Sequence, residues 1–382
     1  MSPTSSSIRG CVLTETRLQV AVASPWRRVG ARFVRNRPAI AAAAALVSVA
    51  LFCLLGPLLS STAYDAIFPD YVGASPSIWP HPSEAEARAA LDGISARLRA
   101  RVVQVAFDRG EARATLQASR PIDLRGLAYF ERSDAFGSAR VVDSRDDGRT
   151  LVVAAPLLLT WMPAGADGNG RDLLTRMMIA GRISLAVGVL GCAVALLIGV
   201  SYGAVSGYAG GRVDMAMMRL VDVLYALPFI FFVILLMVFF GRHFVLIFVA
   251  IGAVEWLDMA RIVRGQTLSL KRQEFVAAAE ALGVGPLAIL VRHVAPNLLG
   301  TIAAFLALLT PRVILLESFL SFLGLGVQEP LTSLGVLVAD GARHIEDAPW
   351  LLFFPAALLT LILYALNFLG DGLRDALDPR ER

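Results

Sequence analysis

"PAIAAAAALVSVALFCLLGPLLS", residues 38–60, contains no charged side chain. A helix needs about 20 such residues to cross the hydrocarbon core of a bilayer. The run exceeds the roughly 7–15 residues of a signal-peptide core, so it predicts an uncleaved membrane anchor, although the small residues "SSTA" (60–63) would suit cleavage. Arg27, Arg28, Arg32, Arg35 and Arg37 precede it with no acid among them. Positive charge collects on the cytosolic side of spans, which predicts a cytosolic segment 1–37 and a transmembrane helix 38–60.

Working outward, five more apolar runs qualify: Ile183–Gly207, Val223–Gly241, Phe244–Ile262, Leu298–Leu323 and Trp350–Gly370. Phe244–Ile262 is the weakest, because Glu255, Asp258 and Arg261 crowd its end. Six helices give an all-α polytopic membrane protein. An even number returns the tail 371–382, with Arg374, Arg380 and Arg382, to the cytosol. The segment carrying Arg261, Arg264, Lys271, Arg272 and Arg292 then lies there too. Composition agrees: 56% hydrophobic, 17% charged and mean hydropathy +0.65, where a soluble chain carries about a quarter charged residues.

The net charge of +4 comes from arginines beside apolar spans, which argues against a nucleic-acid partner. Lys271 is the sole lysine. "GYAGGRVD" (207–214) is a glycine turn without the GxxxxGK[ST] pattern, and one lysine in "SLKRQE" leaves no P-loop. Any ATP chemistry must come from a partner. Cys53 and Cys192 fall in spans and Cys11 in the N-terminal tail, so neither a disulfide framework nor a metal site is expected. His81, His243, His293 and His344 are scattered and HExxH is missing, which predicts a non-enzyme that binds no cofactor.

Residues 61–164 have mixed charge. "SEAEARAALDGISARLRARV" (83–102) predicts a helix, and "ARATLQA" and "LVVAA" alternate as strands do. This predicts a small α+β extracytoplasmic insertion between helices 1 and 2. Its arginines do not oppose that side, since long loops cross largely regardless of charge.

"KRQEFVAAAEALGVGPLAILVRHVAPNLLG" (271–300) interrupts the apolar pattern. Glu274–Leu282 predicts a short helix stopped by Gly283. Gly285 and Pro286 make a turn, and a second run, Leu287–Val294, ends at Pro296. Ala277, Ala278 and Ala279 offer a surface of small residues, with Phe275 and Leu282 as anchors for a partner's groove. On these grounds alone, an amphipathic helix lying on the membrane is equally compatible.

"EFVAAAEALG" followed by "RHVAPN" resembles the EAA loop of bacterial ABC importer permeases. Ala278, Ala279, Gly283 and Pro296 match the family pattern. The motif glutamate is replaced by Ala277 and the leucine before proline by Ala295. Glu274 and Glu280 lie one turn either side of Ala277. "GADGNGRDLLTRMMIAGRISLAVG" (165–188), "GYAGGRVDMAMMRLVD" (207–222), "WLDMARIVRGQTLSLKRQEF" (256–275), "ESFLSFLGLGVQEP" (317–330) and "NFLGDGLRDALDPR" (367–380) look like the C-type membrane subunit of oligopeptide/dipeptide importers. The likeness covers residue 165 to the end, plus the first span; the insertion is longer than that family usually carries.

The resemblance implies the type I permease fold, with a permease core over 165–370 and a cytosolic coupling loop over 263–297. It implies a subunit forming half of a peptide pathway in the bacterial inner membrane. The implied partners are a homologous B-type permease, two P-loop ATPase subunits that hold ATP and Mg, an extracytoplasmic solute-binding protein and membrane lipid. It assigns ATPase coupling to Glu274, Phe275, Ala277, Ala278, Ala279, Glu280, Leu282 and Gly283. It also implies a short outer-face helix with Asp167, Arg171 and Asp172 beside the pore; Asp167 and Asn169 could cap it. The same architecture could import nickel or another small solute. An ion-coupled secondary transporter would need an internal inverted repeat, which the sequence does not show.

Charges inside spans are costly and mark function by default. Arg312 and Glu317 are the translocation-path candidates. They are five residues apart, off a shared helical face, so each is expected to find a partner elsewhere. Glu317 could equally serve helix packing, and Asp222, Glu255 and Asp258 could sit at the interface. Pro311 should kink its helix and open a cavity.

Overall fold

The computed structural model describes residues 25–60, 62–108, 110–241 and 244–377. The expectations for residues 1–24 (with Cys11), Ser61, His243, Arg380 and Arg382 lie outside them.

Helix α1 spans Pro25–Arg35 and α2 Arg37–Leu59. Asn36 separates them, and its Oδ1 accepts from the Ala39 amide at 3.2 Å. Pro57 lies inside α2 and has no N–H for the carbonyl of Cys53, four residues earlier. The Arg182 guanidinium takes that place, its Nε donating to Cys53 O at 2.5 Å. In a membrane such a freed carbonyl needs a partner from protein.

The insertion begins with α3, Glu84–Arg97, closed at its start by a capping box. The Glu86 amide donates to Ser83 Oγ, and the Ser83 amide to Glu86 Oε2 at 2.8 Å. Strands β1 (Ala100–Asp108) and β2 (Glu111–Ala118) follow, then α4 (Ala128–Glu131), β3 (Arg140–Arg145) and β4 (Thr150–Pro156). They form one antiparallel sheet in the order β1-β2-β4-β3. Leu91 of α3 shares a buried core with Leu116, Phe130, Phe136, Leu151 and Val153. The helix ends before 102, because Arg99 turns the chain at φ +54° and Ala100–Val102 pair with β2.

Helix α5 runs unbroken over Leu173–Ala209. The expected separate outer-face helix is therefore the first turns of this long one. Its cap is Asp172, not Asp167 or Asn169. Helices α6 (Gly211–Ala226) and α7 (Phe229–Phe240) replace the expected span 223–241 and meet at an 84° bend. Pro228, at the start of α7, forbids helical continuity there. Helix α8 covers Phe244–Lys271 and α9 Glu274–Ala281. Helix α10 (Pro286–Ile289) passes through a π-type turn at 290–294 into α11 (Ala295–Phe322). The second run thus does not stop at Pro296, which occupies the opening turn of α11, where a missing N–H is tolerated. Helix α11 also continues through Pro311. Helices α12 (Leu334–Arg343) and α13 (Trp350–Leu377) complete the chain.

Among the described residues four helical runs are long and apolar enough to cross a membrane: α2, α5, α10–α11 and α13. The bent pair α6–α7 makes a fifth if it counts as one span. The expected count of six is not reached by length and composition, because Glu255, Asp258 and Arg261 interrupt the apolar part of α8.

Helix α8 nevertheless packs centrally. Gly199, Gly203 and Gly207 form a ladder on α5 at four-residue spacing. A Cβ on each would meet Met259 Cβ at 2.6 Å, Ala260 O at 2.4 Å and Arg264 O at 2.8 Å. Backbones of α5 and α8 therefore touch, as small-residue interfaces between membrane helices allow.

Candidate functional site

Helix α9 is held at one end of this α5–α8 pair. Its N-cap, Gln273, makes no side-chain cap bond. Its C-terminus closes firmly: the Gly283 amide donates to Glu280 O at 3.0 Å and the Val284 amide to Ala279 O at 3.1 Å. This is a Schellman pair, and Gly283 adopts the φ of +77° that it requires. Val276 (fully buried) and Ala279 face inward, in one cluster with Met259, Val263 and Ile289. Glu274, Phe275, Ala277, Ala278, Glu280 and Leu282 are exposed, Leu282 to 83%.

The three alanines therefore divide. Ala277 and Ala278 belong to the outer surface, while Ala279 is part of the anchor. Val276, which sequence reading missed, is the other anchor. The 276/279 spacing is a one-turn signal that fits either face until the neighbours are known. Two further contacts at Tyr208 join the end of α5 to α9 and to the end of α8. Tyr208 Oη donates to Glu280 Oε1 at 3.3 Å, and Lys271 Nζ donates to Tyr208 O at 2.6 Å. Nearby, Arg264 Nη2 donates to Asp214 Oδ2 at 2.6 Å, tying α8 to α6.

Arg312 of α11 reaches across to α8. Its Nη1 donates to Asp258 Oδ2 at 2.9 Å, and its Nε lies 3.5 Å from Glu255 Oε1. These three side chains line a cavity of about 350 Å³ that Tyr225 and Pro228 complete. The cavity sits beside the α6–α7 bend, rather than at a kink from Pro311. On its flank, Arg261 donates to Asp222 Oδ1 at 3.0 Å and lies over the Tyr225 ring, 4.2 Å from its centroid. The Arg312 guanidinium thus has two carboxylates and still offers over half its side-chain surface.

Glu317 is placed differently. It is wholly buried and accepts from Ser321 Oγ at 2.6 Å and Ser184 Oγ at 3.2 Å. Ser184 in turn accepts from the Leu334 amide at 3.1 Å. Glu317 therefore ties α11 to α5 and to the start of α12. It does not line the Arg312 cavity, and its hydrogen bonds join helices, as the packing alternative for this residue expects.

A polar cluster lies at the opposite end of α5. Asp167 Oδ1 accepts from the amides of Asn169 and Arg171, both at 2.8 Å. Its Oδ2 accepts from Arg171 Nε at 3.0 Å and from Arg176. Burial alone would raise the Asp167 pKa, but the Arg171 amide and the two guanidinium charges outweigh it, and the carboxyl is held below the usual carboxylate range. The sign follows: its contribution to stability is present above the unfolded-state pKa and is lost as pH falls through the lower folded value. Arg171 Nη2 also donates to Glu329 Oε1 at 2.8 Å, so the 324–333 loop is tied to the segment that leads into α5. Asp172 caps α5, accepting from the Leu174 and Thr175 amides at 3.2 and 3.1 Å and from Thr62 Oγ1 at 3.1 Å.

The structure thus holds three separate groups on one rigid pair of helices. These are an apolar-tipped helix at one end, an arginine–carboxylate cavity beside the bent helix pair, and an ion-pair cluster at the other end. Among the described residues no group of three or more His, Cys, Asp or Glu is arranged to hold a metal ion.

Comparison with known proteins adds a history to this arrangement. Residues 174–382 match the model of the binding-protein-dependent transport system inner membrane component. Residues 24–84 match that of the N-terminal TM domain of oligopeptide transport permease C. The oligopeptide transport system permease protein OppC of Escherichia coli K12 is 43% identical over 96% of this chain and 95% of that protein. OppC of Haemophilus influenzae is 54% identical over 62% of this chain and 76% of its own length. The dipeptide transport system permease protein DppC of Bacillus subtilis is 49% identical over 57% and 68% respectively.

Proposed function

Because this chain belongs to the binding-protein-dependent transport inner membrane components, as a C-type oligopeptide ABC permease and a multi-pass membrane protein, we propose that it forms half of an ATP-driven import pathway for oligopeptides or dipeptides. The other half is a homologous B-type permease. Two P-loop ATPases dock on the cytosolic side, and an extracytoplasmic solute-binding protein delivers the cargo. Both termini lie in the cytosol.

The observation that carries this reading is the orientation of α9. A helix needed only for packing would turn its large apolar residues inward. Here Val276 and Ala279 anchor it, while Phe275 and Leu282 point away. Those two side chains are the docking anchors, and Glu274, Ala277, Ala278 and Glu280 complete the contact surface, with Gly283 closing the helix behind it. Closure of the ATPases on ATP moves α9, and the Tyr208 and α8 contacts carry that motion into the α5–α8 pair. The Arg312 cavity lies on the path. Its mixed charge presents a cation to a peptide carboxylate and acids to a peptide amine. The Asp167–Arg171–Glu329 ties hold the outer loop, where cargo arrives.

Affinity purification of the tagged chain from mild detergent, followed by mass spectrometry, tests the assembly. A second permease and one or two P-loop ATPases are expected in the eluate. Recovery of this chain alone, under conditions that preserve a known ABC importer, would refute it.

A further inference from the structure

The insertion carries a group of basic side chains apart from the residues assigned to transport above. A cleft of about 330 Å³ lies where the end of α3 meets the turn before α4, and Arg97, Arg99, Arg125, Arg132 and Tyr129 line it. Arg97 and Arg132 both stand over the Tyr129 ring, 5.8 and 5.6 Å from its centroid. Among the described residues none of the four guanidinium groups forms a salt bridge. The one carboxylate on the wall, Asp123, caps its own turn: Oδ1 accepts from the Arg125 amide at 2.9 Å.

Elsewhere in the same domain Arg88, Arg101, Arg120 and Arg149 also form no salt bridge, but none of them lines the cleft, and the other described arginines there are paired. Arg113 and Arg140 pair with Glu111, and Arg145 pairs with Asp143. Gathering four like charges in one concavity opposes folding unless something offsets the repulsion. The backbone also departs from ease: Arg99 has φ +54°, a region non-glycine residues seldom adopt. That conformation sets its side chain among the others at the cleft. Gly126 lets the turn close against α3, since a Cβ there would stand 2.3 Å from Leu98 Cδ2.

We propose that this cleft binds a phosphoryl group, either on a small soluble anion or on a lipid headgroup. Guanidinium forks match phosphoryl oxygens two at a time. Four of them exceed what one carboxylate's two oxygens can engage, whereas a phosphoryl group offers three oxygens and close to two charges. The concave shape selects a small group over the flat acidic face of a protein.

The full chain, in phosphatidylcholine nanodiscs at physiological salt, is titrated calorimetrically with inorganic pyrophosphate. Saturable binding is expected, weakened about tenfold or more by Arg97→Ala/Arg132→Ala and by Arg125→Ala. Arg113→Ala/Arg140→Ala, on the paired surface of the same sheet, should leave it unchanged. All three variants alter exposed side chains, and an unchanged melting temperature verifies their fold. Native mass spectrometry with phosphatidylglycerol identifies the source. One lipid fewer on the Arg97/Arg132 variant assigns the cleft to a headgroup; equal retention assigns it to a soluble anion. Absence of both saturable pyrophosphate binding and variant-sensitive lipid retention would overturn the proposal. Equal loss in the Arg113/Arg140 control, or binding only of an acidic protein, would do the same.

Discussion

Replacing Phe275 and Leu282 together by arginine is expected to abolish peptide uptake while leaving the chain folded. Both side chains are exposed, Phe275 to 40% and Leu282 to 83%. Surface substitutions of this kind usually change stability by only about 0.5 kcal/mol either way. The cost falls on docking. Burying a Leu or Phe in a partner's groove contributes roughly 1.5–3 kcal/mol each, and truncating such anchors dominates most interfaces. Losing about 3 kcal/mol weakens association on the order of 100-fold. Transport and transport-stimulated ATPase activity in proteoliposomes should therefore fall to background, with an unchanged melting temperature for the isolated chain. Uptake near the wild-type rate would remove the docking role from α9.

The second large effect concerns the frame that carries the motion. Gly203→Val is expected to prevent recovery of a folded chain. A Cβ at that position would lie 2.4 Å from Ala260 O, an atom of the α8 backbone that no rotamer change can move. Separating the helices there also opens the contacts at Gly199 and Gly207, where a Cβ would meet Met259 Cβ and Arg264 O. Overpacking at a single side chain costs about 1–3 kcal/mol; displacing a backbone interface three glycines long should reach or exceed the top of that range. Gly265→Ala is the control, because a Cβ there meets nothing within 4 Å. Size-exclusion profiles and melting temperatures of the two variants check this. Equal stability would mean that the α5–α8 contact is not the rigid element described.

Several features were legible in the sequence for plain reasons. The uncharged run 38–60 could hardly be anything but a span, and helix α2 covers Arg37–Leu59. The glycine stop at 283 marked the end of α9 because only its backbone freedom suits a Schellman turn. "ARATLQA" alternates, and β2 alternates in burial over the same residues. Other features depended on distant partners. Arg176 and Arg182 make the start of α5 look too polar for a span, yet Asp167 and the Cys53 carbonyl satisfy them. Glu317 stood out as a charge inside a span; Ser321, one turn on, and Ser184, 133 residues away, both donate to it. The bend at Pro228 has a sequence signal, a proline inside an apolar run. The ladder 199/203/207 was visible too, as G-x-x-x-G, but composition alone does not say which helix it receives. The arginine cleft was invisible, since its members are spread from 97 to 132 and converge only through the fold.

The most direct test of the central claim is site-specific photo-crosslinking in the assembled transporter. A photoreactive residue at Leu282 is compared with one at Leu197, which is 72% exposed on the flank of α5. A crosslink from position 282 to a P-loop ATPase subunit, with none from position 197, is the predicted result. Crosslinks from position 282 to lipid alone, in a complex that still contains the ATPase, would contradict it and return α9 to the membrane surface.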